Sequence, residues 1–268
     1  PPWSMRWPLR SPRRQLPTGS PAAELAAVMS VRAVTFDYWN TLIAETDAPF
    51  ELRRALWRAL LAEAGREVSD EQLDEAFKQA WRLFDARWRA NQPVEPARTA
   101  RDATSHLGIE PESALGQELT AAYIDASHSV PRELLPNVGE VLEALRRRGV
   151  AVGVVCDVGA VHSPQLRQWL GDLGVLELID HFSFSDEVGV FKPDQRIFRH
   201  ALEGLGVDVA ANAAHVGDLR RTDVAGARAF GMASVRYTGG REDTEEGHDE
   251  ADHVIGDHLE LLVVLDIE

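Results

Sequence analysis

The sequence holds a single cysteine, Cys156, among 268 residues. An internal disulfide is therefore excluded, and a reducing compartment fits the chain. No apolar run reaches the roughly 18 residues that a membrane span needs. Cations are in deficit. Lys and Arg total 28 against 43 Asp and Glu, for a formal net charge of −15. This excludes general nucleic-acid binding, which needs a basic face, and docking on anionic lipid. An anionic substrate would then need a local cationic site or a metal. There is no GxxxxGK or GxGxxG phosphate loop and no internal repeat. These absences leave the expectation of a cytoplasmic protein that acts on a small molecule.

What is present is an alternation. V31-R-A-V-T-F reads as a buried strand. Val138, Val141, Leu142 and Leu145 follow helical spacing and stop at Gly149. Further strands are expected at V150-A-V-G-V-V, H181-F-S-F-S, A213-A-H-V, A233-S-V-R-Y and H253-V-I. Helices lie between them, one starting at Ser163-Pro164 and one striped by Ile197, Phe198, Ala201 and Leu205. Strands alternating with helices predict an α/β fold, a doubly wound parallel sheet with right-handed crossovers. Residues 46–134 break the pattern, with helical stripes and no good strand. An all-helical insert mounted on the α/β core (residues 29–45 and 135–268) is expected there. Its stripe of Leu73, Phe77, Ala80, Trp81, Phe84 and Trp88 reads as core packing, with Trp57 or Trp88 lining a substrate pocket as the alternative. The acidic stretch G239-G-R-E-D-T-E-E-G-H-D-E250 reads as a solvated loop. Residues 1–28, rich in proline and arginine, read as a disordered extension.

Chemistry is expected where strands end, because ligands of open parallel sheets bind beyond the carboxyl ends of the strands. The first strand is followed by Asp37, Asn40 and Thr41, and the second by Cys156 and Asp157. Lys192 comes in the region after the third, and G217-D-L-R-R-T-D223 after the fourth. Singly each is weak, since an Asp at a strand end is often only a helix cap. Together they make one device. Asp37 can attack phosphorus and form an acyl phosphate that water opens. Asp37, Asp218 and Asp223 would repel one another unless a cation sat among them. An oxygen-only ligand set suits Mg²⁺, and Lys192 supplies a second positive charge.

These motifs resemble those of the haloacid dehalogenase superfamily of hydrolases, over residues 31 to about 258. Asp37 and Thr41 match its DxDxT motif, Cys156 its second-motif Ser/Thr, and Lys192, in VGVFKPD, its lysine. Gly217, Asp218 and Asp223 match its GDxxxxD motif. The resemblance implies a Rossmann-like core with residues 46–134 as a helical cap that closes over the site. It implies Asp37 as nucleophile and Lys192 as charge stabiliser. It implies Mg²⁺ held by Asp37, Asp218, Asp223 (directly or through a water) and the Trp39 carbonyl, and a phosphoryl group held near Thr41, Cys156 and Asp157. Asp157 would repel phosphate there unless turned outward or protonated.

Trp39 departs from the pattern. Family phosphatases place there an Asp that protonates the leaving alcohol, and indole has no such function. Asp157 and His162 are the nearest substitutes by sequence. Three readings stay open. One is a Mg²⁺-dependent phosphatase with an unusual acid or an easy leaving group. Another is a 2-haloacid dehalogenase, whose halide needs no proton but whose chemistry needs no metal either. The last is a non-catalytic member that binds a partner.

Overall fold

The apolar strand at the head of the chain acquires partners on both of its edges. β1 (Ala33–Phe36) pairs in parallel with β2 (Ala151–Cys156) in the register Ala33↔Ala151, and with β4 (Ala213–Gly217) in the register Ala33↔Ala213. The structure, a computed structural model, describes residues 31–267. The reading of residues 1–28 as a disordered extension lies outside them. β3 (His181–Phe184), β5 (Ala233–Tyr237) and β6 (His253–Ile255) complete a six-stranded sheet of order β3-β2-β1-β4-β5-β6. Every pairing is parallel. The strand order reverses between β1 and β4, and such a reversal opens the crevice where ligands of this architecture bind.

Side chains alternate across the sheet and so build two cores. Val34 and Phe36 enter one with α5 (Val138–Arg147), α6 (Ser163–Asp172) and α10 (Glu260–Val264). Ala33 enters the other with α8 (Gln195–Gly204) and α9 (Ala225–Phe230). Between β3 and α8 lies a single helical turn, α7 (Ser185–Val188). The expected strands and helices are all present, with β1 beginning at Ala33 rather than Val31.

Four helices fill the long excursion after β1: α1 (Ala48–Glu63), α2 (Asp70–Arg89), α3 (Pro96–His106) and α4 (Ala114–Ser129). The sequence S69-D-E-Q sets the start of α2. Ser69 Oγ accepts from the Gln72 N–H, and the Gln72 side chain accepts from the Ser69 N–H. These helices share a core of their own around Trp57, Leu61, Leu73, Phe77 and Leu119. Each large side chain buried there contributes about 1.5–3 kcal/mol. Trp57 donates its indole N–H to Leu119 O at 2.8 Å. The two crossings into and out of this segment run side by side, with Ala44 N–H donating to Glu133 O and Leu135 N–H to Leu42 O.

Candidate active site

At the carboxyl end of β1 the backbone turns sharply. Leu42 and Ile43 N–H both donate to Tyr38 O, and Asn40 takes a left-handed φ of 54°, which Asn tolerates better than most residues. The turn leaves Asp37 at the head of a cavity of about 910 Å³. Asp218 and Asp223 reach the same end from the loop and π-helical turn after β4. Oxygens of the three carboxylates lie within 4.8 Å of one another, and all three residues are buried. Gly217 makes this possible, because a Cβ there would overlap the Asp223 carboxylate.

Lys192, one of only two lysines in the chain, spends its three donors on this cluster. Its Nζ reaches Asp37 Oδ1 at 2.5 Å, Asp223 Oδ1 at 2.7 Å and Val155 O at 3.1 Å. Asp223 is further satisfied by Leu219 N–H at 3.0 Å and by His215 Nε2 at 3.1 Å. A donating Nε2 leaves His215 Nδ1 to accept the Thr35 hydroxyl at 2.8 Å. Burial disfavours the charge on Asp223, yet Lys192 and His215 hold it well below the usual carboxylate range. Among the described residues Asp218 has no such partner. Burial, and then the charges of Asp37 and Asp223, push it up to about 9. Burial raises Asp37 to about 7 against the pull of Lys192. One ammonium among three carboxylates leaves a local deficit of positive charge, in a set of hard oxygen donors. A divalent cation of the Mg²⁺ type fits that set, with Asp37 and Asp218 free to bind it directly and Asp223 already saturated by hydrogen bonds.

The sequence-level candidates distribute as follows. Asp37, Trp39, Asp157, Lys192, Asp218 and Asp223 all line the cavity. Thr41 and Cys156 are not among its lining residues. Cys156 packs into the apolar core, and Thr41 Oγ1 is buried without a partner among the described residues. Asp157 neither turns away nor stays bare: Oδ1 accepts from Lys192 N–H at 2.8 Å and Oδ2 from Trp88 Nε1 at 2.7 Å. Burial raises it to about 6, with the Lys192 charge opposing. His162 is exposed and does not line the cavity. The Trp39 indole packs edge-on against Tyr38 and Trp169 under the Arg132 guanidinium.

Two readings are corrected. The aromatic stripe of α2 is not uniformly core: Phe77 and Phe84 are buried, but Trp81 is 58% exposed and Trp88 lines the cavity. The reason is that α2 packs on the other helices of residues 46–134 with one face and meets Asp157 and Phe191 with another. The acidic stretch 239–250 is solvated at Glu242, Glu246 and Asp249, but Asp243 is buried against Arg220, and Glu245 is paired with Arg89. Gly240 packs on the Asn40 carbonyl so closely that a Cβ would overlap it. Sequence reasoning also missed His215, whose place opposite Thr35 follows from the β1–β4 register. It missed Arg53 and Arg132, which line the cavity and have no sequence signature.

Residues 31–231 match the family model described as haloacid dehalogenase-like hydrolase. The chain is 29% identical over 256 residues to haloacid dehalogenase-like hydrolase domain-containing protein 3 of Mus musculus, covering 91% of this chain and 97% of that protein. It is 31% identical over 242 residues to the glyceraldehyde 3-phosphate phosphatase of Methanopyrus kandleri, covering 88% of this chain and 97% of that one. The solved HAD phosphatase of Thermococcus onnurineus superposes with a TM-score of 0.61 at 24% identity, over 89% of this chain and 99% of that chain.

Proposed function

The chain belongs to the haloacid dehalogenase-like hydrolases, and from that premise we propose that it hydrolyses small phosphomonoesters through an aspartyl-phosphate on Asp37, with Mg²⁺ held by Asp37, Asp218 and, through a water, Asp223. The Trp39 carbonyl is assigned to the same ion. The observation that carries this reading is the buried cluster of three carboxylates served by one ammonium. Displacing halide from carbon would need no metal in such a cluster. Full-length likeness to a named phosphatase points the same way.

The steps follow from the residues. Lys192 anchors Asp37 through Oδ1 and orients its carboxylate. The carboxylate attacks phosphorus, a P–O bond forms, and the bond to the leaving alkoxide breaks. Water then attacks the acyl phosphate and releases inorganic phosphate, regenerating Asp37. Bound Mg²⁺ offsets the charge that the phosphate and Asp37 bring together. Residues 46–134 act as a cap that shuts water from the cavity. The alkoxide needs a proton that Trp39 has no means to give. Of the two substitutes expected from sequence, Asp157 lines the cavity and His162 does not.

Trp39 also favours the second reading, carbon–halogen hydrolysis, in which the leaving halide needs no proton. A paired assay separates the two. With para-nitrophenyl phosphate and 2-chloropropionate, each with and without EDTA, we expect phosphate release that chelation abolishes. Chloride release indifferent to EDTA would replace the phosphatase reading with the dehalogenase one, and neither activity would leave a binding role.

A further inference from the structure

The cavity wall contributed by α1 and the segment returning from α4 carries two positive charges that the reaction above does not use. Arg53 on α1 donates Nε to Tyr123 O at 3.1 Å and Nη2 to Ser127 Oγ. Arg132, in the segment returning from α4, donates Nη2 to Ser127 O at 3.0 Å. Both guanidiniums are thus fastened to one residue, and both line the cavity. Every one of these acceptors is neutral. Neutral oxygens orient a guanidinium without cancelling its charge. Arg132 Nε is buried and has no hydrogen-bond partner among the described residues. Glu45 is the acid whose charge reaches both arginines, but its carboxylate accepts from Asn40 Nδ2 at 3.1 Å instead.

Among the other described arginines, Arg146 and Arg148 also donate only to carbonyl oxygens but lie outside the cavity, whereas many others find an acid. Arg54, Arg87, Arg89, Arg220 and Arg236 each pair with a carboxylate. With 43 acids against 28 bases, carboxylates are plentiful. Two like charges held together without one, in a half-buried place, are costly unless a mobile anion completes the set. Guanidinium forks match carboxylate and phosphate geometry. The walls beside them are flat and aromatic: Arg132 lies 4.5 Å from the Trp169 ring centroid and 5.2 Å from that of Trp39, and Arg53 lies 3.9 Å from that of Tyr123. The stacking fixes the two heads and leaves their remaining N–H groups for a ligand.

We propose that Arg53 and Arg132 receive a second anionic group of the substrate, so that the substrate class is a small phosphomonoester bearing a carboxylate or a further phosphate away from the scissile ester. This rests on the phosphatase reading of Asp37 and assigns two further lining residues of the same cavity. One guanidinium–anion contact is worth about 10–100-fold in discrimination against a ligand that lacks the anion.

The test is a ratio. kcat/KM is measured for ω-phosphooxy carboxylates of increasing chain length against the matching ω-hydroxyalkyl phosphates, and for alkanediol bisphosphates against the monophosphates. The wild-type protein should prefer the doubly anionic member by about 10–100-fold at one chain length. The carboxylate and bisphosphate arms tell which anion is taken. Arg132→Gln and Arg53→Gln should each cut that ratio at least tenfold, Arg132→Lys should restore part of it, and exposed Arg58→Gln should leave it unchanged. Phosphomonoester turnover without preference, or a preference that survives both Gln variants, overturns the proposal while leaving the phosphatase reading intact. If no phosphomonoester is turned over, the phosphatase reading fails by itself. Calorimetry with malonate then tests the anion site alone: affinity reduced tenfold or more by Arg132→Gln supports it, and equal or absent binding rejects it.

Discussion

The two ends of the cavity are built by opposite rules. At the sheet end, Lys192, Asp223 and Asp157 are heavily engaged while Asp218 stays open to a cation. Lys192 uses all three of its donors, Asp223 accepts from a lysine, a histidine and a backbone N–H, and Asp157 has both oxygens engaged. At the helical end, Arg53 and Arg132 are held only by neutral acceptors, and Trp81 is left 58% exposed. Engaged groups are held still for a fixed reaction. An unsaturated end leaves bonding capacity for whatever the substrate brings. On the proposed reading, chemistry is assigned to the sheet and selectivity to the inserted helices.

The contrast is broken most severely by removing the proposed nucleophile. Asp37→Asn keeps the size and the Lys192 contact, yet should lower turnover of para-nitrophenyl phosphate by about 10⁴-fold or more, with the circular dichroism spectrum unchanged. Residual turnover near the wild-type rate would show that the sheet end is not where the bond is made. Next in size is Trp39→Asp, which introduces a proton donor beside Asp37. Hydrolysis of alkyl phosphates, whose leaving groups need that proton, should rise by up to about 10²-fold, and aryl phosphates should gain little. Equal gains for both classes would argue against a missing acid.

The smallest effect is on stability, and it reports on the sheet end through pH. Asp37 and Asp218 are raised to about 7 and about 9 in the metal-free protein, and Asp157 to about 6. Groups whose folded values exceed their unfolded ones favour folding at low pH and lose that contribution as pH climbs through the folded values. Thermal melts in EDTA should therefore show stability falling between about pH 4 and pH 9 from these groups. Asp223, shifted downward, changes only below that window. Saturating Mg²⁺ should recover about 5 °C or more at the alkaline side and little at the acid side. A Mg²⁺ effect independent of pH would place the ion away from these carboxylates.

The sheet end was readable in the sequence because each of its groups follows a strand, and a parallel sheet brings strand ends to one edge. Asp37, Asp157, Lys192, Asp218 and Asp223 required only that order. His215 needed one more step, the register that sets it against Thr35. The helical end was not readable. Whether Trp88 points into the helix bundle or over the sheet depends on the rotation of α2, which the apolar period leaves open by about one position per turn. Arg53 and Arg132 look like any arginine on a polar face until α1 and the return segment are set against Ser127. The 240–245 loop was misjudged because its acids are counted by composition but placed by Gly240 packing on Asn40.

The central place of β1 has a consequence for how the chain matures. β1 is the earliest strand of the sheet to be synthesised, yet its neighbours begin at Ala151 and Ala213. Of the five helices between β1 and β2, α1–α4 close on one another, Trp57 reaching Leu119 across 62 residues, while β1 and Asp37 beside it wait for partners more distant still. Such long loop closures slow folding and leave an apolar edge open to wrong pairing in the interval. The early helices therefore emerge as a formed body attached to an unfinished sheet, and the nascent chain is at greatest risk of aggregation before β4 arrives.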